Sequence, residues 1–322
     1  MQTVVKTITK ESLAEAAKLL RAGEVVAFPT ETVYGLGANA LDETALQKIY
    51  EAKGRPSDNP LIVHIASREQ LAQLVSAIPE RAEKLMQAFW PGPLTLVFPK
   101  SNMVPNIITA SGETVAIRWP SHPVALDLIR LSGVPIAAPS ANLSGKPSPT
   151  RAEHVLEDMD GRIPLILDGG QTDIGLESTV LDVSGEIAVL LRPGKITKEE
   201  LEEILGEEVF TFKQTEGVAR SPGMKYRHYA PNATVVLFSD LSEVTLANEQ
   251  HTALLSLDTL PSQSVKVQKD FAGDRQRFAR ELFSTLRELD EQGMERIYIE
   301  RVELSGLGQA IMDRLNRAAE RS

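Results

Sequence analysis

The chain has 322 residues, of which 42% are apolar, with 34 basic and 44 acidic side chains for a net charge of −10. It contains no cysteine, which excludes disulfide frameworks, thiolate metal sites and cysteine nucleophiles, and its length is comfortable for two domains. The acidic balance argues against a protein built mainly to hold duplex nucleic acid. No apolar run approaches the roughly 18 residues that span a bilayer, and Met1-Gln-Thr-Val-Val-Lys6 does not resemble a signal peptide, so a cytoplasmic protein is expected.

In chain order, the first part alternates helical and strand patterns. Ser12 to Ala22 carries apolar residues at helical spacing and ends at Gly23. Val25–Phe28 reads as a buried strand stopped by Pro29, and Asp42–Lys53 as a helix with Asp42 as N-cap. Leu61–Ile65, Leu94–Phe98, Val115–Trp119 and Pro135–Ala138 are short apolar runs that predict strands, separated by helices over 67–76, 79–89 and 122–132. Leu165–Leu167 is a further strand. Thr179–Val183 and Ile187–Leu191 form a hairpin joined by Ser184-Gly185, and Lys198–Leu205 is a short acidic helix. The pattern predicts an α/β domain over residues 1–210, with a sheet mixing parallel and antiparallel strands.

Residues 211–232 lack periodicity and contain Ser221-Pro222-Gly223 and Ala230-Pro231, so they read as a loop or linker. Their net charge is +3, against −9 for residues 1–210 and −4 for residues 233–322. Such a segment is either a solvated tether or chain laid across a bound polyanion. Beyond it, Val235–Phe238 and Ala253–Leu257 predict strands with a helix between them near 241–250. Arg275–Gln292 is a long amphipathic helix, Ile297–Glu300 a strand and Gly308–Glu320 a closing helix. This predicts a small Rossmann-like α/β domain over residues 233–322.

Five loops carry more polar and special-geometry residues than a connection needs. They are 29–37, 53–60, Thr114–Arg118, 138–148 and 176–179, each bordering a strand or helix end, where open sheets place ligands. Lys53-Gly-Arg-Pro sets two cations after a helix, with Gly54 allowing close backbone approach. The pair suits phosphate or carboxylate oxygens, or simply complements the helix dipole. Ala138-Pro-Ser-Ala-Asn-Leu-Ser-Gly offers neutral donors that either cradle an anion or hold their own turn. Arg118 and Arg192 each end a strand, where an inward cation is costly unless it meets an anion.

Other chemistries fit less well. Gly35-Leu-Gly37-Ala-Asn-Ala40 matches a dinucleotide pattern, but it stands six residues from its strand and no ribose-binding acid follows. There is no Walker A sequence, the five histidines form no ligand pair, and Ser140 lacks nucleophile-elbow glycines.

Together, Lys53-x-Arg55, Ser140-x-Asn142, Pro29-Thr-Glu-Thr-Val-Tyr-Gly-Leu and Trp90-Pro-Gly-Pro-Leu-Thr resemble the YrdC-like L-threonylcarbamoyladenylate synthases. Gly194, the basic linker with His228-Tyr-Ala-Pro231 and the extra α/β unit resemble the long, two-domain form. The resemblance covers roughly residues 5–320. It implies a nucleotidyltransferase that makes threonylcarbamoyl-AMP and pyrophosphate from L-threonine, bicarbonate or carbon dioxide, and ATP. A separate transferase then carries the group to the adenosine beside the anticodon of certain tRNAs. Positioning and charge stabilisation suffice for such a step, so no protein nucleophile is needed.

The resemblance assigns Thr32, His64, Arg118, Ala138 and Ser178 to threonine, with Arg118 on its carboxylate. It assigns Arg55, Asn59, Thr114, Ser140, Ser148, Arg192 and Tyr229 to the nucleotide, with Lys53 and Asn142 near the reacting carbamate and phosphates. Magnesium is expected to arrive with ATP, and the linker to fold over the site as a lid. Two rival readings remain at this stage: an RNA-binding module whose concave face meets tRNA or duplex RNA, and a threonine/ATP sensor without turnover.

Overall fold

Several helices in this chain start at side chains that accept from the backbone. Thr9 and Ser12 form a reciprocal capping box, Asp42 accepts from the amides of Thr44 and Ala45, and Thr197 pairs with Glu200 in the same way as Thr9 with Ser12. The computed structural model describes residues 2–211, 229–245 and 249–320. Its first part runs β1 (Val4–Thr7), α1 (Lys10–Arg21), β2 (Val26–Phe28), β3 (Gly35–Asn39), α2 (Glu43–Lys53) and β4 (Ile62–His64). Then come α3 (Arg68–Leu74), α4 (Glu80–Phe89), β5 (Leu94–Pro99), α5 (Asn106–Thr109), β6 (Thr114–Arg118), α6 (Pro123–Ser132) and β7 (Ile136–Ala137). It closes with α7 (Ala152–Met159), β8 (Leu165–Asp168), β9 (Thr179–Asp182), β10 (Ala188–Arg192), α8 (Lys198–Leu205) and β11 (Val209–Thr211).

These strands build one mixed sheet in the order β1-β8-β2-β3-β7-β4-β6-β5-β9-β10-β11. Strand β4 is parallel to β6, β5 is parallel to β9, and β5–β6 and β9–β10 pair antiparallel. Alternate residues of a strand face opposite sides. Leu61, Val63, Leu94, Leu96, Val115, Ile117 and Leu181 accordingly join the large core under the helices. Ile62, Val97, Ala116 and Val180 face the other way and form a smaller apolar cluster. Burial on both faces explains why these strands read as continuous apolar runs.

A second sheet contains β12 (Thr234–Phe238), β13 (Thr252–Ser256), β14 (Val267–Asp270) and β15 (Arg296–Glu300), all parallel, in the order β12-β15-β13-β14. Helices α9 (Arg275–Glu291) and α10 (Leu307–Ala319) complete this α/β unit. Its core also takes in Val33 and Leu176 of the first part, so the two units share apolar contacts.

Several elements depart from the sequence reading. The stretch Gly35–Asn39 is strand β3, antiparallel to β2, which disposes of a phosphate-binding turn there. Glycine is required for that pairing: a Cβ at Gly37 would lie 2.7 Å from the Phe28 ring and 2.8 Å from Ile136. Gly54 permits no close approach, since nothing lies within 4 Å of where its Cβ would be; its φ of +58° instead ends α2. No α-helix forms over the described part of 241–250, where 3₁₀ turns at Leu241–Glu243 and Glu249–His251 bury no side chain. Strands β1, β11 and β14 and helices α5 and α7 were not expected. The linker reading of 211–232 rests mainly on residues 212–228, which lie outside those described.

Candidate active site

The register of the central strands puts three polar side chains in one row. His64 of β4 is opposite Arg118 of β6, which is opposite Thr95 of β5. All three are buried, on the face that also presents Ile62 and Ala116. Thr95 Oγ1 lies 2.7 Å from Ser178 Oγ, and Arg192 donates to the Ser178 carbonyl at 3.0 Å and to its hydroxyl at 3.2 Å. A cavity opens over this row. His64, Arg118 and Arg192 are the last residues of β4, β6 and β10, so the cavity lies where these strands end, with loops 29–37, 138–148 and 176–179 around it.

Eleven of the sequence-derived residues line that cavity: Thr32, Arg55, His64, Arg118, Ala138, Ser140, Asn142, Ser148, Ser178, Arg192 and Tyr229. Lys53, Asn59 and Thr114 do not. Thr114 starts β6, at the far end of the strand from Arg118, and lines a separate depression with Pro60, Leu61 and Gly112. Asn59 is buried behind Arg55, whose guanidinium donates to the Asn59 and Pro60 carbonyls at 3.4 and 3.1 Å.

Lys53 is buried beneath the 140–142 turn and donates to Ser140 O at 2.5 Å, Asn142 O at 2.6 Å and Asn142 Oδ1 at 3.5 Å. Burial, then the nearby Arg55 cation, lowers its pKa well below the ordinary lysine value. Its hydrogens go to the turn, so it supports Ser140 and Asn142 and does not itself line the cavity. Ser140 Oγ donates to Asn142 Oδ1 at 2.5 Å, and the Asn142 amide donates to the Leu143 and Lys146 carbonyls at 2.8 Å.

Two buried carboxylates belong to the site and were missed. Glu31 Oε1 lies 2.7 Å from the Arg118 guanidinium, which also donates to Thr32 Oγ1 at 2.8 Å. Burial alone would raise the Glu31 pKa, but the charge and hydrogen bond of Arg118 outweigh it and hold the carboxyl below its usual range. Glu177 lines the cavity and accepts from Ser148 Oγ at 2.5 Å and Arg314 Nε at 2.9 Å. Against its burial, Arg314 and Arg192 keep it ionised as well. The signal was present in 29–37 and 176–179, where one acid stands among apolar and neutral neighbours.

Other groups stay neutral. Burial beside the Arg118 cation pushes the His64 pKa down to about 3, and burial raises that of the Tyr229 phenol. His64 Nδ1, Arg118 Nε and Arg55 Nε are buried without a hydrogen-bond partner. Unused donors and acceptors around one cavity mark a ligand site, since burying them otherwise costs free energy.

The second unit contributes directly. Tyr229 has a φ of +64°, stacks on Phe283 of α9 at 5.2 Å and lies 5.7 Å beneath the Arg314 guanidinium. Arg287 of α9 reaches Asp158 Oδ2 at 2.6 Å and Pro147 O at 2.7 Å. Both arginines stand inside apolar stripes, Arg314 among Leu307, Ala310, Ile311, Leu315 and Ala318. A cation in such a stripe was the available clue. Among the described residues, no three His, Asp or Glu side chains gather to hold a metal ion, and no helix is long and apolar enough to cross a membrane.

A family model described as telomere recombination (Sua5–YciO–YrdC) matches residues 18–194. A second, described as the threonylcarbamoyl-AMP synthase C-terminal domain, matches residues 196–320. The chain is 52% identical to a threonylcarbamoyl-AMP synthase of Pyrococcus abyssi, over 94% of this chain and 93% of the relative. It is 50% identical to one from Bacillus subtilis, over 95% and 92%. The crystal structure of P. abyssi Sua5 complexed with L-threonine matches with a TM-score of 0.90 and 48% identity, over 99% of this chain and 97% of that one.

Proposed function

The chain belongs to the Sua5–YciO–YrdC family, in the form that carries a matching C-terminal unit, and from that premise we infer that it is a threonylcarbamoyl-AMP synthase. It joins L-threonine, bicarbonate or carbon dioxide, and ATP into threonylcarbamoyl-AMP, releasing pyrophosphate, in the service of tRNA modification. The observation that carries this reading is one cavity lined by Arg55, Arg118 and Arg192 together with the Ser140, Ser148 and Ser178 hydroxyls.

The chemistry is adenylyl transfer. The threonine amine loses a proton and gains carbon dioxide, one carbamate oxygen then bonds to the α-phosphorus, and the bond to the departing pyrophosphate breaks. Arg118, aimed by Glu31 and Thr32, offers a planar fork for the threonine carboxylate. The related P. abyssi protein complexed with L-threonine supports that amino acid as the substrate. His64, neutral at physiological pH, suits hydrogen bonding to an uncharged part of the substrate.

Arg55 and Arg192 supply positive charge for the phosphates, with the neutral Tyr229 phenol beside them, while the Ser140 and Ser148 hydroxyls hold Asn142 and Glu177 in place. Burial pushes the Arg55 pKa down only to about 10, so it remains a cation. Magnesium is read as part of the nucleotide substrate, because Glu177, the lining carboxylate, is already engaged by Ser148 and Arg314. The purified protein should release pyrophosphate from ATP only when threonine and bicarbonate are both supplied, and Arg55→Ala should abolish that release. Pyrophosphate release independent of threonine, or near wild-type turnover by the variant, would overturn the assignment.

A further inference from the structure

Arg314 comes from the carboxy-terminal unit yet is fully buried at 0% exposure. Its Nε donates to Glu177 Oε2 at 2.9 Å, one terminal nitrogen donates to the Glu177 carbonyl at 3.3 Å, and the other to the Pro193 carbonyl at 2.7 Å and to Asp313 Oδ2 at 2.9 Å. Pro193 follows Arg192, and Glu177 precedes Ser178, so one guanidinium ties together both chain segments that supply those lining residues. The same group lies over the Tyr229 ring. Glu177 in turn accepts from Ser148. We propose that Arg314 is a positioning residue through which the carboxy-terminal unit sets the triphosphate side of the site.

The proposal rests on the synthase reading, which identifies that side as the nucleotide's. Arg287 makes a comparable buried contact, but its partner Asp158 reaches the cavity only through the lining Lys146. Glu177 does line it. Without Arg314 a buried carboxylate would face an incoming polyphosphate having lost its hydrogen-bonded cation, with only the charge of Arg192 left to offset it. The loss should therefore fall on ATP. Threonine, held mainly by Arg118 and Thr32 against Glu31 and sharing only Ser178 with the segments Arg314 ties, should be affected less.

The test uses the full-length chain with Arg314→Met, Arg314→Lys and the double variant Arg314→Met/Glu177→Gln. Steady-state KM values for ATP and threonine are measured, with calorimetric binding of a non-hydrolysable ATP analogue. Arg314→Met should raise the ATP KM by at least about tenfold and the threonine KM by less than about threefold. Replacing Glu177 by Gln in that background should recover several-fold of the loss, because the unpaired charge is gone. The rescue identifies the unpaired charge as the cause, and the ATP-over-threonine split separates positioning from a merely structural role, which would move both KM values alike. Arg314→Lys keeps the charge but cannot span Glu177, Pro193 and Tyr229, so its ATP KM should also rise. It carries the test should Arg314→Met fail to fold. An unchanged ATP KM in Arg314→Lys or Arg314→Met, equal losses for both substrates, or no rescue would overturn the proposal. Wild-type protein that binds no ATP analogue would overturn the synthase reading with it, whereas wild-type binding with insensitive variants overturns this inference alone.

Discussion

Glu31 stands behind Arg118: its Oε1 lies 2.7 Å from the guanidinium, and neither side chain is more than 6% exposed. The pair makes Arg118 a balanced and fixed fork, not a loose cation. Arg118→Lys keeps the charge but loses the planar fork, and should raise the threonine KM by about tenfold or more while the ATP KM moves little. Glu31→Gln leaves Arg118 buried and uncompensated, which should cost about 3 kcal/mol of stability. Threonine, bringing a carboxylate, should then raise the melting temperature of Glu31→Gln by more than it raises that of the wild type. A smaller rise would show that Glu31 and the substrate carboxylate do not share the same guanidinium.

Lys53 gives a different kind of prediction, because its three contacts are all to the 140–142 turn. Lys53→Met takes their donor from the Ser140 and Asn142 carbonyls, at about 1–3 kcal/mol each. Stability to urea should fall, and turnover should drop by at least about tenfold as Ser140 and Asn142 lose their fixed geometry. Substrate KM values should change less than kcat. A variant with wild-type kcat would mean that the turn holds itself.

What could be read from the sequence follows from the reach of the interactions involved. The Asp42 cap, the α2 boundary and the apolar runs of β4, β5 and β6 are local, and each appears where its residues predict. Strand β3 was hidden because two glycines look like a turn until Phe28 and Ile136 are packed against them. Helix α7 was legible in principle, with Ala152, Val155 and Met159 at helical spacing. The charged partners were not legible. That Glu31 meets Arg118, 87 residues on, or that Arg314 meets Glu177, depends on sheet order and on docking between units. Lys53 was expected to face substrate for the same reason: nothing local shows that the 140–142 carbonyls lie above it.

The contacts between the units predict the effect of removing the second one. A chain ending after residue 210 would expose Val33 and Leu176 and strip Asp158 and Glu177 of their arginines. The remaining sheet keeps its own large core and should fold, with native far-ultraviolet dichroism. Pyrophosphate release should fall by more than about tenfold, since Tyr229 goes as well and several lining groups lose their support. Adding residues 211–322 as a separate chain should restore part of it. Unchanged kinetics in the truncated chain would reduce the second unit to a passenger.

Acid should destabilise this protein above the usual carboxylate range, because two histidines are buried neutral. The His64 pKa is pushed down to about 3, by burial and then Arg118, and that of His154 to about 4, by burial and then Arg287. In the unfolded chain both return to about 6.5, so below that pH the unfolded state binds protons that the folded state refuses. Stability is thus full above pH 6.5 and declines as pH falls, until each folded-state pKa is passed. Between pH 7 and pH 5 the two groups should together cost about 4 kcal/mol. Urea midpoints at the two pH values measure this, and replacing His154 by Gln should remove about half of the slope. His154 accepts from the Thr150 amide at 3.3 Å and does not line the cavity, which keeps the stability readout separate from substrate binding. A flat profile between pH 7 and pH 5 would mean that water reaches both rings in the native state.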